Sequence, residues 1–157
     1  MGNKTKIAII ADTHDNLANI KKIVEWLNKE KINLILHCGD VSSQNTLDEM
    51  NKLFRGEIKV VYGNADVDLI NIPEKDEIEL SGKKIAFTHF PEMANNLAAT
   101  QKYDLVFYGH THQSWLEKVG ECRLINPGEV AGQFYKPTFA IYDAANDKLE
   151  LKILEKL

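Results

Sequence analysis

The chain has 157 residues, a length that fits one domain and leaves room for a real hydrophobic core. Its composition, 44% hydrophobic and 27% charged with Gly and Pro scattered rather than pooled, excludes a disordered or low-complexity chain. A formal charge of -4 excludes a general nucleic-acid coat or an anionic-membrane binder, both of which need surplus Lys and Arg, but not one small anionic ligand beside bound cations.

Gly2 and Lys6 stand where a myristoylation signal needs Gly and then Ser or Thr, so lipidation is not expected. The first apolar run is too short for a secretory core, and no run reaches the ~18 apolar residues of a membrane span, so a cytoplasmic protein without a membrane segment is expected. That run, KIAIIA (6–11), reads as a strand covered on both faces. From Asn16 the pattern changes: Leu17, Ile20, Val24 and Leu27 share one face of a helix reaching about Glu30. NLILHC (33–38) is a second buried strand. Thr46 with Glu49 predicts a capping box, and Leu47, Met50 and Phe54 give the next helix its apolar side. IKVVYG (58–63) is the third strand, and the alternation describes parallel βαβ units with right-handed crossovers.

The second half reads differently. EIELSGKKIAFTH is a hairpin turning at Ser81 and Gly82, PEMANNLAATQ a helix with Pro at its first position, and DLVFYG a buried strand. WLEKV, RLIN, TFAIYD and KLELKIL follow as strands, the last alternating like an exposed one. The expected architecture is a single domain (1–157) of α/β class: a four-layer α-β-β-α sandwich, two mixed sheets flanked by helices.

Set against these strands, the polar residues collect at carboxyl ends. Asp12 and His14 follow the first strand, Gly39 and Asp40 the second, and Gly63, Asn64 and Asp66 the third; His89 ends the hairpin and GHTH (109–112) follows DLVFY. That edge is where open α/β sheets bind ligands. Each cluster alone has a structural explanation: DTHD as a helix cap, GD as a turn, His89 as a hydrogen-bonded core histidine. Together they hold four of the chain's 5 histidines, which independent turns would not collect. Imidazole, carboxylate and amide oxygen form a mixed donor set suited to Mn, Fe, Ni, Co or Zn. Seven such ligands are too many for one ion with an open position and about right for two, which would clamp a phosphate ester. Cys38 and Cys122 lack metal or disulfide spacing and read as small buried hydrophobes.

Asp-x-His, Gly-Asp, Gly-Asn, a lone His and Gly-His-x-His, in that order, resemble the calcineurin-like metallophosphoesterases, and GHTH…INPGE…PTFAIYD resembles the small YfcE-type phosphodiesterases. The resemblance spans the chain to about Asp143. It implies two divalent ions, manganese foremost with Ni, Fe, Co or Zn as alternatives. Asp12, His14 and His112 would bind one and Asn64, His89 and His110 the other, with Asp40 bridging. It further implies attack of a metal-activated hydroxide on a small phosphodiester, with Asp40, Asn64 and His89 catalytic. No membrane or stable nucleic-acid partner is implied, and a homo-oligomer stays open.

Three positions depart from the family pattern. Ala65 stands where larger relatives carry a histidine that protonates the leaving oxygen, leaving water or Asp66 as the donor. Phe90 and Pro91 follow His89 in place of Gly-His, and Asp15 replaces a glycine and adds negative charge near the mouth. His37 is out of phase with Asp40 and reads as a supporting residue, Trp26 and Trp115 as packing residues, and Asn126–Gly128 as either a structural turn or a source of amides for the site. A competing reading is a non-catalytic scaffold like the retromer vacuolar-sorting subunit, which shares the resemblance; completeness of the ligand set favours catalysis. A phosphomonoesterase or nuclease differs only in pocket shape.

Overall fold

The computed structural model describes residues 4–157; Gly2, on which the lipidation reading falls, lies outside the described residues. Strands β1 (Lys6–Ile10), β2 (Leu34–His37) and β3 (Glu57–Val60) run parallel, joined by helices α1 (Leu17–Lys29) and α2 (Gln44–Leu53). Strands β9 (Thr138–Asp143) and β10 (Lys148–Ile153) return antiparallel and complete a sheet in the order β10-β9-β1-β2-β3. A second sheet, β4-β5-β6-β8-β7, begins with the hairpin of β4 (Lys75–Leu80) and β5 (Lys83–Thr88). Helix α3 (Pro91–Ala99) leads to β6 (Leu105–Phe107), then β7 (Trp115–Val119) and β8 (Cys122–Asn126) follow. Strands β5, β6 and β8 are parallel.

Alternation along each strand builds the layers. Ile7, Ile9 and Leu36 face inward against Ile85, Phe87, Leu105, Phe107 and Ile125 of the other sheet. The intervening Ala8, Ile10 and Ile35 face outward against Ile20, Ile23, Leu27 and Met50 of α1 and α2. On the far side, Ala86, Val106 and Leu124 meet Ala94, Leu97 and Ala98 of α3. Both sheets are therefore covered on two faces, as the unbroken apolar strands require, and the expected α-β-β-α sandwich is the observed one. Cys38 and Cys122 are buried free thiols. Among the described residues, no helix is long and apolar enough to cross a membrane.

Two expectations need correction. Helix α2 is capped by Ser43, whose side chain accepts from Thr46 N at 3.3 Å, so Thr46 lies inside the first turn rather than at the cap. Ser43 has the extended backbone an N-cap needs, and the polar Gln44 and Asn45 gave the sequence pattern no sign of the earlier start. Trp115 is 52% exposed because β7 is an edge strand, whereas half-buried Trp26 sits edge-on to Phe139 at 5.8 Å.

His37 closes β2 and is fully buried. Its Nδ1 accepts from Gly39 N at 3.1 Å, which leaves the proton on Nε2, 3.0 Å from the Thr13 hydroxyl. Burial, reinforced by the neighbouring His89, pushes its pKa down to about 3. Between its ordinary value near 6.5 and about 3 only the unfolded chain takes up this proton, so acidification destabilises the fold by at most about 1.4 kcal/mol per pH unit. Denaturant unfolding of the metal-free protein should therefore show the parent's stability margin over His37→Asn shrinking as pH falls below about 6.5. A margin independent of pH would refute a neutral buried imidazole.

Candidate metal centre

The parallel strands of both sheets end on one edge, and every expected site residue lies just beyond one of them. Asp12 and His14 follow β1, Asp40 follows β2, Asn64 follows β3, His89 follows β5, and His110 and His112 follow β6. The loops are laced through the backbone: Asp12 N donates to Gly39 O at 3.0 Å, His14 N to Asp40 O at 3.0 Å, and Gly109 N to His89 O at 3.1 Å. Residues 98 apart in sequence, His14 and His112, thereby come to 3.3 Å between Nε2 atoms.

The side chains form two groups around one carboxylate. Asp12, His14, Asp40 and His112 offer donor atoms within 4.8 Å of one another. On the other side, Asn64 Oδ1 is 3.0 Å from His89 Nε2 and 3.1 Å from His110 Nδ1, and the two nitrogens are 3.3 Å apart. Asp40 Oδ2 lies 3.5 Å from His14 Nε2 and 3.4 Å from His89 Nε2, so it faces both groups. All seven expected residues converge.

Hydrogen bonds behind the site fix which ring atoms face it. His89 Nδ1 is 2.7 Å from Cys38 O; a carbonyl only accepts, so the proton is on Nδ1 and the Nε2 lone pair faces Asp40 and Asn64. The Asp12 carboxylate raises the pKa of His14 despite partial burial. For His89, burial pulls the pKa down but the Asp40 carboxylate outweighs it, and the net shift is upward. Burial alone would raise the Asp40 carboxyl; the His89 ring and the Ala65 N–H hold it below its ordinary value.

This donor set fits divalent cations. Asp12 Oδ1 is, among the described residues, the one buried side-chain polar atom without a hydrogen-bond partner, 3.6 and 3.7 Å from the Nε2 atoms of His112 and His14. Metal–nitrogen and metal–oxygen bonds of about 2.0–2.2 Å place neighbouring ligand atoms roughly 3.0–3.5 Å apart, close to the spacings across both groups.

The backbone is shaped for these side chains. Asp12, His14, Asp40, His110 and His112 all have φ between 41° and 72°, the left-handed region that most residues avoid. Gly63 lets β3 pass Asp40: a Cβ there would sit 2.2 Å from Asp40 Oδ1. Asp66 is buried, and its carboxylate accepts from Asp40 N, Gly63 N and Ser42 N at 2.8–2.9 Å. It is therefore a brace for two loops. Asp15 accepts from the Ser43 and Thr46 hydroxyls at 2.8 and 2.6 Å, which ties it to the start of α2. Asn126 donates to Gly109 O and Thr111 Oγ1 and accepts from Gly128 N, so the NPG turn supports the GHTH loop.

The sequence reading missed Glu129. Its fully buried carboxylate lies 3.1 Å from His112 Nδ1 and also accepts from Gln133 N and Phe134 N. Among the described residues, no Lys or Arg pairs with this carboxylate, Asp12 or Asp40. Glu129 thus holds the His112 proton on Nδ1 and turns Nε2 toward Asp12. The only sign of it in the sequence was an acidic residue following the NPG turn.

The sequence profile of the calcineurin-like phosphoesterase superfamily domain matches residues 5–147. A phosphodiesterase of Methanocaldococcus jannaschii is 34% identical over 166 aligned positions that cover 96% of this chain and 99% of the relative. Among solved structures, an archaeal phosphodiesterase aligns with a TM-score of 0.83 at 31% identity, covering 94% of this chain and 99% of that one. Vps29 of Chaetomium thermophilum aligns with a TM-score of 0.76 at 19% identity, covering 94% and 91%, a likeness of fold alone.

Glu129→Gln keeps the size of the side chain and removes its charge. Calorimetric titration of Mn into the metal-free protein should show one binding step weakened about 10- to 100-fold, the usual effect of losing a carboxylate behind a ligating histidine. An unchanged titration would assign Glu129 to the fold alone.

Proposed function

Because the chain belongs to the calcineurin-like phosphoesterase superfamily, we propose that it is a phosphodiesterase that works with two divalent cations, manganese foremost. Ni, Fe, Co and Zn suit the same donors. The observation that carries this reading is Asp40 Oδ2, placed 3.5 Å from His14 Nε2 and 3.4 Å from His89 Nε2, where one carboxylate can serve two ions. Asp12, His14 and His112 would hold one ion, and Asn64, His89 and His110 the other. When bound, the cations supply positive charge to the phosphoryl oxygens and lower the pKa of water so that it can attack phosphorus.

The protein's own part is to fix donors and set charge. Asp12 and Asp40, the two carboxylates in the donor set, offset half of the positive charge of two divalent ions, and the buried carboxylates of Glu129 and Asp66 behind them bring the local balance close to neutral. Asn64 binds without adding negative charge. Among the described residues no Lys or Arg pairs with the site carboxylates, so the charge drawing a phosphoryl group to them would come from the cations, which suits the single charge of a diester. Two buried free thiols accord with a cytoplasmic setting.

No side chain stands ready to protonate the leaving oxygen at the position of Ala65. Its N–H is committed to Asp40 Oδ1 at 2.8 Å, and the carboxylate of Asp66 accepts from three backbone amides. Departure therefore depends on the stability of the leaving anion. The Vps29-like fold supports a second reading, a binding scaffold, which the complete donor set opposes.

Mn-loaded protein should hydrolyse bis(p-nitrophenyl) phosphate and stop on chelation; binding of less than one Mn per chain together with no hydrolysis would refute the enzyme. Rates across a series of leaving groups should fall steeply with leaving-group pKa in the parent. Ala65→His should flatten that slope, raising alkyl-ester rates toward the ~10²–10⁴-fold that general-acid assistance supplies. A flat slope in the parent, with chemistry limiting, would refute the missing acid.

A further inference from the structure

Two phenyl rings bracket the metal centre, and neither is required by the core. Phe134 is 74% exposed, yet its ring centroid is 5.2 Å from that of His112, nearly perpendicular to it. Its backbone is pinned: the loop between β8 and β9 is tied to the segment after β1 by Ala131 N donating to Asp12 O at 3.0 Å, and buried Glu129 accepts from both Gln133 N and Phe134 N. One carboxylate thus holds His112 on one side and the Phe134 loop on the other. On the opposite flank, half-buried Phe90 lies 4.9 Å from His89 and 5.4 Å from His110. Apolar ring surface therefore lies beside both groups of donors, next to where the ester groups of a bound diester would emerge.

Resting on the diesterase reading above, we propose that Phe134, with Phe90 across the site, binds the organic part of the substrate, which belongs to the phosphodiesters carrying a flat aromatic or heteroaromatic ester group. A diester has one negative charge and two organic substituents. With cations held by the two groups of donors, the phosphoryl oxygens would be taken there, and the substituents would emerge beside His112, near Phe134, and beside His89 and His110, near Phe90. A flat ring stacks on a phenyl face or meets it edge-on without leaving a polar group unpaired, whereas a second phosphate or carboxylate gains nothing from a phenyl.

The test keeps the leaving group constant. Phenyl p-nitrophenyl phosphate and methyl p-nitrophenyl phosphate both release p-nitrophenolate, so they differ only in the group left on phosphorus. Relative to the parent, Phe134→Ala should raise the phenyl-to-methyl KM ratio roughly 3- to 10-fold, the range of one aromatic contact, and Phe134→Trp should keep the parent ratio. Calorimetry on Mn-loaded protein provides a second readout: diphenyl phosphate, a singly charged diester with a poor leaving group, should bind more tightly than dimethyl phosphate, and Phe134→Ala should erase the preference. A KM ratio unmoved by Phe134→Ala, or no phenyl preference in binding, overturns the proposal and leaves the ring to a protein partner. Absence of turnover with the binding preference intact refutes the hydrolase and leaves the aromatic subsite standing.

Discussion

Asp40 and the loop after β3 hold each other in place, and the geometry of the centre follows from that hold. Ala65 N–H donates to Asp40 Oδ1 at 2.8 Å, while Asp66 Oδ2 accepts from Asp40 N at 2.9 Å. Hydrogen bonds to a charged acceptor contribute about 1.5–3 kcal/mol each, and these lie in buried or partly buried surroundings where leaving a group unpaired is costly. The exchange leaves Asp40 one free oxygen, Oδ2, at nearly equal distance from His14 and His89. A shift of either loop would tilt the carboxylate toward one group of donors and away from the other. Gly63 is what lets the two loops approach so closely.

The same edge of the fold carries local strain. Left-handed backbone costs a residue with a Cβ about 1–2 kcal/mol, and Asp12, His14, Asp40, His110 and His112 all adopt it. Such conformations persist only where the surroundings over-determine them. Here the surroundings are bonds between loops, Asp12 N to Gly39 O and His14 N to Asp40 O, and the braces from Asp66, Glu129 and Asn126. The core under them is a pair of sheets buried on both faces, which tolerates little displacement. Strain at the strand ends is thus set against packing between the sheets, and the donors are aimed before any cation arrives.

The architecture and the converging residues were legible because both rest on patterns that recur along the chain. Unbroken apolar runs at KIAII and LVF mark strands covered on two faces, and polar residues at their carboxyl ends mark the site edge. The supporting residues were not legible, since their roles depend on partners far away in sequence. Glu129 acts on His112 across 17 residues, and Asp66 on Asp40 across 26. Asp15 reads as charge at the mouth, yet it is committed to the hydroxyls of Ser43 and Thr46, 28 and 31 residues on. Trp115 shows the reverse failure: an indole signals packing in a sequence, but on an edge strand it is left half exposed.

Asp40 and Asp12 both hold and donate, since Asp40 Oδ1 accepts from Ala65 N and Asp12 Oδ2 from His110 N, but elsewhere at this centre the two tasks fall to different residues. Asp66, Asn126 and Glu129 set the course of the loops, and none of them is among the seven converging donors. An exchange of His110 or Asn64, both exposed, removes a donor without touching the hydrogen bonds that shape its loop. Loss of chemistry and loss of fold are consequently separable in descent. Donors of this kind can be exchanged one at a time while the loops and the surface around them keep their course.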